Sequence, residues 1–268
     1  MNFDGTEIDV QGDPKESYYS NYQKLGIFWD EVANSIADEI VKSDKPILLL
    51  DIGANIGLTT LYIAARCQGD SEPIEVHLFE PSPDAYFYLL KNLKQAPHSI
   101  NAKPNNLACG SADGVIGFAV LPESTGSYIV KDIASPHPSF NESEVIQVKV
   151  TRLDQYVKSI GLDKYASIFV KLDVEGFELD VLDGATMLCM DGRASWFIEF
   201  NPWFISQVKG VDPATFLSDI LNRFNHVKPC NELTIHGFSG DLKMTNIDEF
   251  INCIPSGAVV DLLCKNIY

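Results

Sequence analysis

Short, wholly apolar runs separated by longer amphipathic stretches constrain this chain's fold more than any other feature. Ile47-Leu48-Leu49-Leu50, entered through Pro46, puts no polar side chain on either face of an extended strand, so both faces must be covered. Val76-His77-Leu78-Phe79, Ile168-Phe169-Val170-Lys171-Leu172 and Trp196-Phe197-Ile198-Glu199-Phe200 read as further strands. Between and after them, helical periodicity predicts helices over Leu58 to Arg66, Asp84 to Leu93, Leu153 to Ile160, Glu178 to Leu188 and Ala214 to Phe224. Strands joined through helices need crossover connections, which predicts an α/β, doubly wound, mostly parallel sheet.

The rest of the chain is read with the same rules. Residues 17–44 form a helical N-terminal region, with Phe28, Val32, Ile36 and Ile40 on one face of a helix reaching about Lys42. Residues 1–16, polar and broken by Gly5, Gly12 and Pro14, read as a loose extension. Leu89, Leu90 and Leu93 are expected to pack one helix onto the sheet. Strands are expected near Val115–Val120, Val145–Val150, Leu233–Ile235 and Val259–Leu263, with a loop at Pro136, Pro138 and Ser139 bordering a pocket. No repeat or composition break divides the 268 residues, and 46% hydrophobic content is enough for a single core, so one domain over 1–268 is expected.

Composition excludes several classes of function. No apolar stretch approaches the roughly 20 residues of a membrane-spanning helix. The acidic start, Met1 to Glu7, lacks a signal-peptide pattern, and a cytoplasmic protein is the expectation. The cysteines at 67, 109, 189, 230, 253 and 264 form no C-x-x-C pair, so they read as reduced structural thiols rather than zinc ligands. The sequon at Asn141 has meaning only in a secreted chain. A formal charge of −17, with 20 dispersed basic residues, works against nucleic acid and anionic membranes as partners.

The chemistry concentrates in four places. Leu50-Asp51-Ile52-Gly53-Ala54-Asn55-Ile56-Gly57 ends a buried strand in a glycine-bracketed turn before a helix. Ligands of doubly wound sheets bind beyond such strand ends, although the same turn also serves as an ordinary strand–helix link. Glu80, closing Leu78-Phe79-Glu80-Pro81, stands where a carboxylate can hold both hydroxyls of a ribose, or else simply meet solvent. A dinucleotide site would carry glycine two positions after Gly53. Asn55 stands there instead and offers a polar side chain to an amino-acid carboxylate or amine, which favours S-adenosylmethionine over NAD.

The third place is Val170-Lys171-Leu172-Asp173-Val174-Glu175-Gly176-Phe177-Glu178. Strand alternation puts Lys171 and Asp173 on one side. Burial and repulsion could let one carboxylate accept a hydroxyl proton; the plainer reading is an acidic, solvated helix start, above all for Glu178. The fourth is Glu199, set among Phe197, Ile198 and Phe200, which must face a pocket or pair with a core Lys or Arg.

Together these segments, with Thr151-Arg152-Leu153-Asp154 and the continuation Leu179-Asp180-Val181-Leu182-Asp183-Gly184-Ala185, resemble the FkbM methyltransferase family over about residues 45–203. The resemblance implies a seven-stranded class I methyltransferase (Rossmann-like) fold and transfer from S-adenosylmethionine to a hydroxyl of a sugar, glycan or natural product. It further implies that Asp51, Gly53, Asn55 and Gly57 line the methionine end, that Glu80 holds the ribose, and that Asn106, Leu107 and Ala108 border the adenine. Asp173 is then the leading base or hydroxyl-orienting group, with Glu175 and Glu199 shaping the acceptor site. Lys171 steadies a developing alkoxide or the carboxylates themselves. No metal is assigned; Mg²⁺ on the carboxylate cluster is the alternative not favoured. An NAD-dependent oxidoreductase and a non-catalytic cofactor-binding module are the rival readings.

Overall fold

In a computed structural model the apolar run opening at Ile47 is buried along its whole length, Ile47–Ile52, at the centre of a seven-stranded sheet. The structure describes residues 1–15, 17–42, 46–69, 74–120, 128–130, 145–230, 238 and 240–268. In chain order the sheet strands are β1 (Ile47–Ile52), β2 (Ile74–Phe79), β3 (Ile100–Asn105), β4 (Ser167–Leu172), β5 (Ala194–Phe200), β6 (His226–Pro229) and β7 (Val260–Lys265). They are ordered β6-β7-β5-β4-β1-β2-β3. Pairings from β3 across to β5 are parallel, and β7 runs antiparallel to both β5 and β6. The mostly parallel, doubly wound sheet expected from the alternation of strands and helices is therefore present.

Period-2 alternation sends each strand's side chains into two cores. Leu48, Leu50 and Ile52 of β1 join Ile168, Val170 and Leu172 of β4 in one cluster, and Ile47 and Leu49 join Val76, Leu78 and Phe169 in the other. The first face is covered by α5 (Leu153–Ile160), α6 (Glu178–Asp183), α7 (Thr186–Cys189), α8 (Pro213–Arg223) and α9 (Ile247–Cys253). The second is covered by α1 (Ser17–Leu25), α2 (Glu31–Val41), α3 (Leu58–Arg66) and α4 (Pro83–Leu93). Local chemistry sets the helix starts. Asp30 caps α2 by accepting from the Ala33 amide at 2.6 Å, and Ser82 caps α4 with Pro83 in its first turn.

Several expectations need correction. The first residues are no loose extension: Asn2–Phe3 pairs with Thr6–Glu7 and with Ile27–Phe28, and Phe3, Ile8 and Val10 are buried in the second core. The helical region of 17–44 is two helices, because Ile27–Phe28 is taken up as a strand, although Phe28, Val32, Ile36 and Ile40 do share one core. The helix expected from Glu178 to Leu188 breaks at Gly184 and resumes as α7. A Cβ at Gly184 would lie 2.0 Å from the Gly110 carbonyl oxygen, so the break seats another loop. Leu90 is exposed, whereas Leu89 is buried. The strands expected near 115–120, 145–150 and 259–263 occur as Gly114–Val120, Val145–Thr151 and β7. Leu233–Ile235, the loop at 136–139 and the sequon lie outside the described residues.

Candidate active site

Beyond the carboxyl ends of β1, β2 and β4 the structure opens a cleft of about 590 Å³, within the range of small-molecule sites. β1 passes directly into Gly53, β2 into Glu80 and β4 into Asp173, and all three line the cleft. Asn55, Leu107, Ala108, Lys171, Glu175 and Glu199 line it too.

The glycine turn is held by its neighbours on both sides. The amides of Gly53 and Ala54 both donate to the Phe79 carbonyl at 3.0 Å, and the Asp173 amide donates to the Ile52 carbonyl at 3.1 Å. At Gly53 φ is +83°, and a Cβ there would stand 1.8 Å from the Asp173 carbonyl oxygen. Glycine is thus required so that the loops after β1 and β4 can touch, before any ligand is considered. Asn55 also adopts a left-handed φ, which asparagine tolerates. Gly57 begins α3 with φ +88° and packs against Leu89.

Glu80 is 5% exposed. Its Oε2 accepts from the Asn55 amide and its Oε1 from the Ser82 amide, each at 2.8 Å. Burial pushes its carboxyl up to about 7, with the two amides acting against that rise. A carboxylate has about four acceptor positions, so two amides leave capacity for two hydroxyls. The Asn106 side chain donates to the carbonyls of Glu80 at 2.8 Å and Pro81 at 3.1 Å, fixing this strand end from outside the cleft wall.

On the other side of the cleft, Lys171 Nζ lies 2.8 Å from Asp173 Oδ2, the same-side pairing that strand alternation predicts. Burial opposes the Lys171 charge, but Asp173, Asp51 and Asp30 outweigh it and hold the ammonium well above its ordinary range. Asp51 stands opposite Lys171 in the β1–β4 register, 1% exposed, with Oδ2 accepting from Thr60 Oγ1 at 2.6 Å and Oδ1 enclosed without a hydrogen-bond partner among the described residues. Asp51, Gly57 and Asn106 therefore support the wall rather than line it.

Glu199 is half-buried on β5, opposite Asp261 of β7. Its Oε2 is enclosed with no hydrogen-bond partner, and no Lys or Arg bridge reaches it among the described residues. Burial, then Asp173, Glu175, Glu178 and Asp261, raise its carboxyl well above the usual range. Glu178 is not the solvated helix start expected. It is buried, and its Oε1 accepts from the amides of Val174 and Gly176 at 3.1 Å each, clamping the loop that carries Asp173 and Glu175. Asp154 of the Thr151–Asp154 segment likewise caps α7 through the amides of Met187 and Leu188.

Tyr18, Phe177 and Asp180 are among the cleft residues that sequence reasoning missed. Tyr18 arrives from α1, while Phe177 and Asp180 flank the clamped loop, with Lys209 2.6 Å from Asp180 and stacked on Phe177. Spacing signals Asp180 alone, one turn after Phe177; Tyr18 depends on a tertiary contact that no local pattern shows. Among the described residues no group of three or more His, Cys, Asp or Glu side chains is arranged to hold a metal ion. No helix of the described residues is long and apolar enough to cross a membrane.

Comparison with known proteins identifies the family. The model of the methyltransferase FkbM domain matches residues 51–226, well over half of the chain. The chain belongs to the FkbM methyltransferase family. This agrees with the seven-stranded class I fold, and the nicotinamide alternative is set aside. Methyltransferase 1 of Beauveria bassiana (strain ARSEF 2860) is 26% identical over 149 residues, covering 51% of this chain and 57% of that protein. The hexuronic acid methyltransferase AglP of Haloferax volcanii is 29% identical over 157 residues, covering 58% and 56%. The chain thus spans under six tenths of the length of these two relatives. The crystal structure of methyltransferase FkbM from Methylobacillus flagellatus KT aligns over 69% of this chain and 40% of that one, at 17% identity and a TM-score of 0.43.

Proposed function

We propose that this FkbM protein is an S-adenosylmethionine-dependent O-methyltransferase acting on a hydroxyl of a sugar, glycan or small natural product. The observation that carries the reading is the placement of two unlike carboxylates in one cleft. Glu80 is held by backbone amides on one side, and Asp173 is held by Lys171 on the other. The residues present fit the cofactor: Glu80 for the ribose hydroxyls, Gly53 and Asn55 for the methionine end, Leu107 and Ala108 for the adenine. Asp51, Gly57 and Asn106 act from behind, keeping those groups in place.

S-adenosylmethionine supplies, when bound, a methyl group made electrophilic by a sulfonium. The protein's own part is to hold the acceptor hydroxyl in line and take its proton. Lys171 Nζ donates to Asp173 Oδ2, which leaves Oδ1 to accept the hydroxyl hydrogen bond and then the proton. Glu175 and Glu199 shape the acceptor side, and Tyr18 closes it from α1. The relative named as a hexuronic acid methyltransferase supports a sugar derivative as acceptor.

The test is mass spectrometry of a glycan and metabolite panel incubated with methyl-labelled S-adenosylmethionine. A labelled methyl ether is the expected product. Failure to bind S-adenosylhomocysteine at all would remove the reading.

A further inference from the structure

S-adenosylmethionine ends in an amino acid, and its carboxylate has to be held in a cleft whose walls are acidic. Glu80, Asp173, Glu175, Asp180 and Glu199 line that cleft, and the lining ammonium of Lys171 already donates to Asp173. The glycine turn after β1 has its own amides engaged. Those of Gly53 and Ala54 donate to the Phe79 carbonyl, that of Asn55 to Glu80 Oε2, and that of Gly57 to the Ala54 carbonyl. The next donors along the chain belong to α3.

α3 is nine residues long, and its first two, Leu58 and Thr59, line the cleft. Its cap is Gly57, which has no side chain to accept from the first turn. The helix ladder opens with the Leu61 amide on the Gly57 carbonyl, so the amides of Leu58, Thr59 and Thr60 have no acceptor among the described residues. Thr59 adds an independent donor. It is 8% exposed and yet lines the cleft. A helical threonine commonly turns its hydroxyl back to a carbonyl three or four residues earlier. Thr59 Oγ1 makes no such bond and has no hydrogen-bond partner among the described residues, whereas the neighbouring Thr60 hydroxyl is committed to Asp51. Nor is Thr59 Oγ1 enclosed in protein, as Glu199 Oε2 is, so it opens on the cleft that Thr59 lines.

We propose that the first turn of α3, with Thr59 Oγ1 as its side-chain donor, binds the carboxylate of the cofactor's amino-acid end. This rests on the methyltransferase reading of the same cleft and adds Thr59 to the residues that hold the cofactor. A carboxylate is the group this corner selects, because it accepts from several N–H and O–H donors at once and meets the positive end of the helix dipole. Elsewhere in the cleft the same group would meet Asp173, Glu175, Asp180 or Glu199. An ammonium brought to the first turn of α3 would face amide hydrogens instead.

The experiment titrates the full chain with two matched probes by calorimetry. One is S-adenosylhomocysteine, and the other is its decarboxylated counterpart, which keeps the adenosine, thioether and amine and lacks the carboxylate. The wild type should bind S-adenosylhomocysteine about tenfold or more tightly than the decarboxylated probe, as expected for hydrogen bonds to a charged group. Thr59→Val keeps the side chain's shape and removes its donor. It should weaken S-adenosylhomocysteine about tenfold and leave the decarboxylated probe unchanged, while Thr59→Ser keeps wild-type affinity for both. Nitrogen–proton correlation spectra of the wild type carry the same test should Thr59→Val not fold. The amides of Leu58, Thr59 and Thr60 should shift with saturating S-adenosylhomocysteine and stay in place with the decarboxylated probe. Equal affinity of the wild type for both probes, a Thr59→Val loss shared by both or absent from both, or identical amide shifts overturns the proposal. Absence of S-adenosylhomocysteine binding instead overturns the methyltransferase reading beneath it, so the two failures are distinguishable.

Discussion

Replacing Gly53 with alanine tests whether this glycine serves the fold's own loop packing, and the structure supplies a matched control. At Gly53 φ is +83° and an added Cβ would lie 1.8 Å from the Asp173 carbonyl oxygen, well over an ångström short of an ordinary contact. At Gly210 φ is +65° and an added Cβ meets no atom of the described residues within 4 Å. Both substitutions carry the left-handed penalty of about 1–2 kcal/mol. Gly53→Ala alone must also push apart two backbone loops, an overpacking cost of about 1–3 kcal/mol. Gly53→Ala should therefore destabilise by roughly 2–5 kcal/mol and Gly210→Ala by roughly 1–2 kcal/mol. At about 2–4 °C of Tm per kcal/mol the difference is readable by thermal denaturation, with urea unfolding as a second measure. Because the displaced atom belongs to Asp173, methyl transfer by Gly53→Ala should fall as well. Equal Tm losses for the two variants would refute the reasoning and show that the loops after β1 and β4 do not touch as described.

Asp173→Asn should keep cofactor binding and lower turnover by on the order of 10²–10⁴, the usual share of a positioned base. Near-normal turnover would remove Asp173 as the proton acceptor, and loss of S-adenosylhomocysteine affinity would make it a cofactor-holding group. Glu178 has its carboxyl raised by burial from about 4.5 to about 7, so the folded protein retains a proton there that the unfolded chain has released. Its contribution is present in full below about pH 4.5, declines as pH rises to about 7 and is flat beyond. Glu178→Gln keeps an acceptor for the Val174 and Gly176 amides and cannot ionise, so it should gain on the wild type between pH 5 and pH 8 in urea unfolding. Glu178→Ala should lose about 1–3 kcal/mol for each amide left unpartnered. A wild-type pH slope in Glu178→Gln would show that Glu178 does not titrate in this window.

What was legible in the sequence follows from where local pattern and tertiary environment agree. β1, β4 and β5 are covered on both faces, so apolar residues dominate them and announce themselves, with Asp51, Lys171 and Glu199 as the charged exceptions near their ends. The Asp51–Gly57 turn, Glu80 and the Lys171–Asp173 pair follow because they sit where such strands stop. β3 is poorly marked because among the described residues it lies at the sheet's edge, with a partner strand on one side alone, where Lys103 and Pro104 are tolerated. The two-residue strands at Asn2–Phe3 and Thr6–Glu7 are too short for any alternation to show. Tyr18 was missed because its cleft position comes from a segment distant in sequence. Glu178 was misjudged because an acidic residue at a helix start looks solvated until the loop just before it is seen folded back onto its carboxylate.

Calorimetric titration of S-adenosylhomocysteine into the wild-type protein and Glu80→Gln at pH 8 tests the central claim most directly. Glu80 has its carboxyl at about 7 in the free protein, so at this pH it is mostly ionised and offers its remaining acceptor positions to a ribose. The account predicts one-to-one binding to the wild type. Glu80→Gln should weaken it by about 10- to 100-fold, the worth of roughly 1.5–3 kcal/mol for hydrogen bonds to a charged acceptor. Unchanged affinity in a folded Glu80→Gln protein, or no binding to the wild type at all, would contradict it.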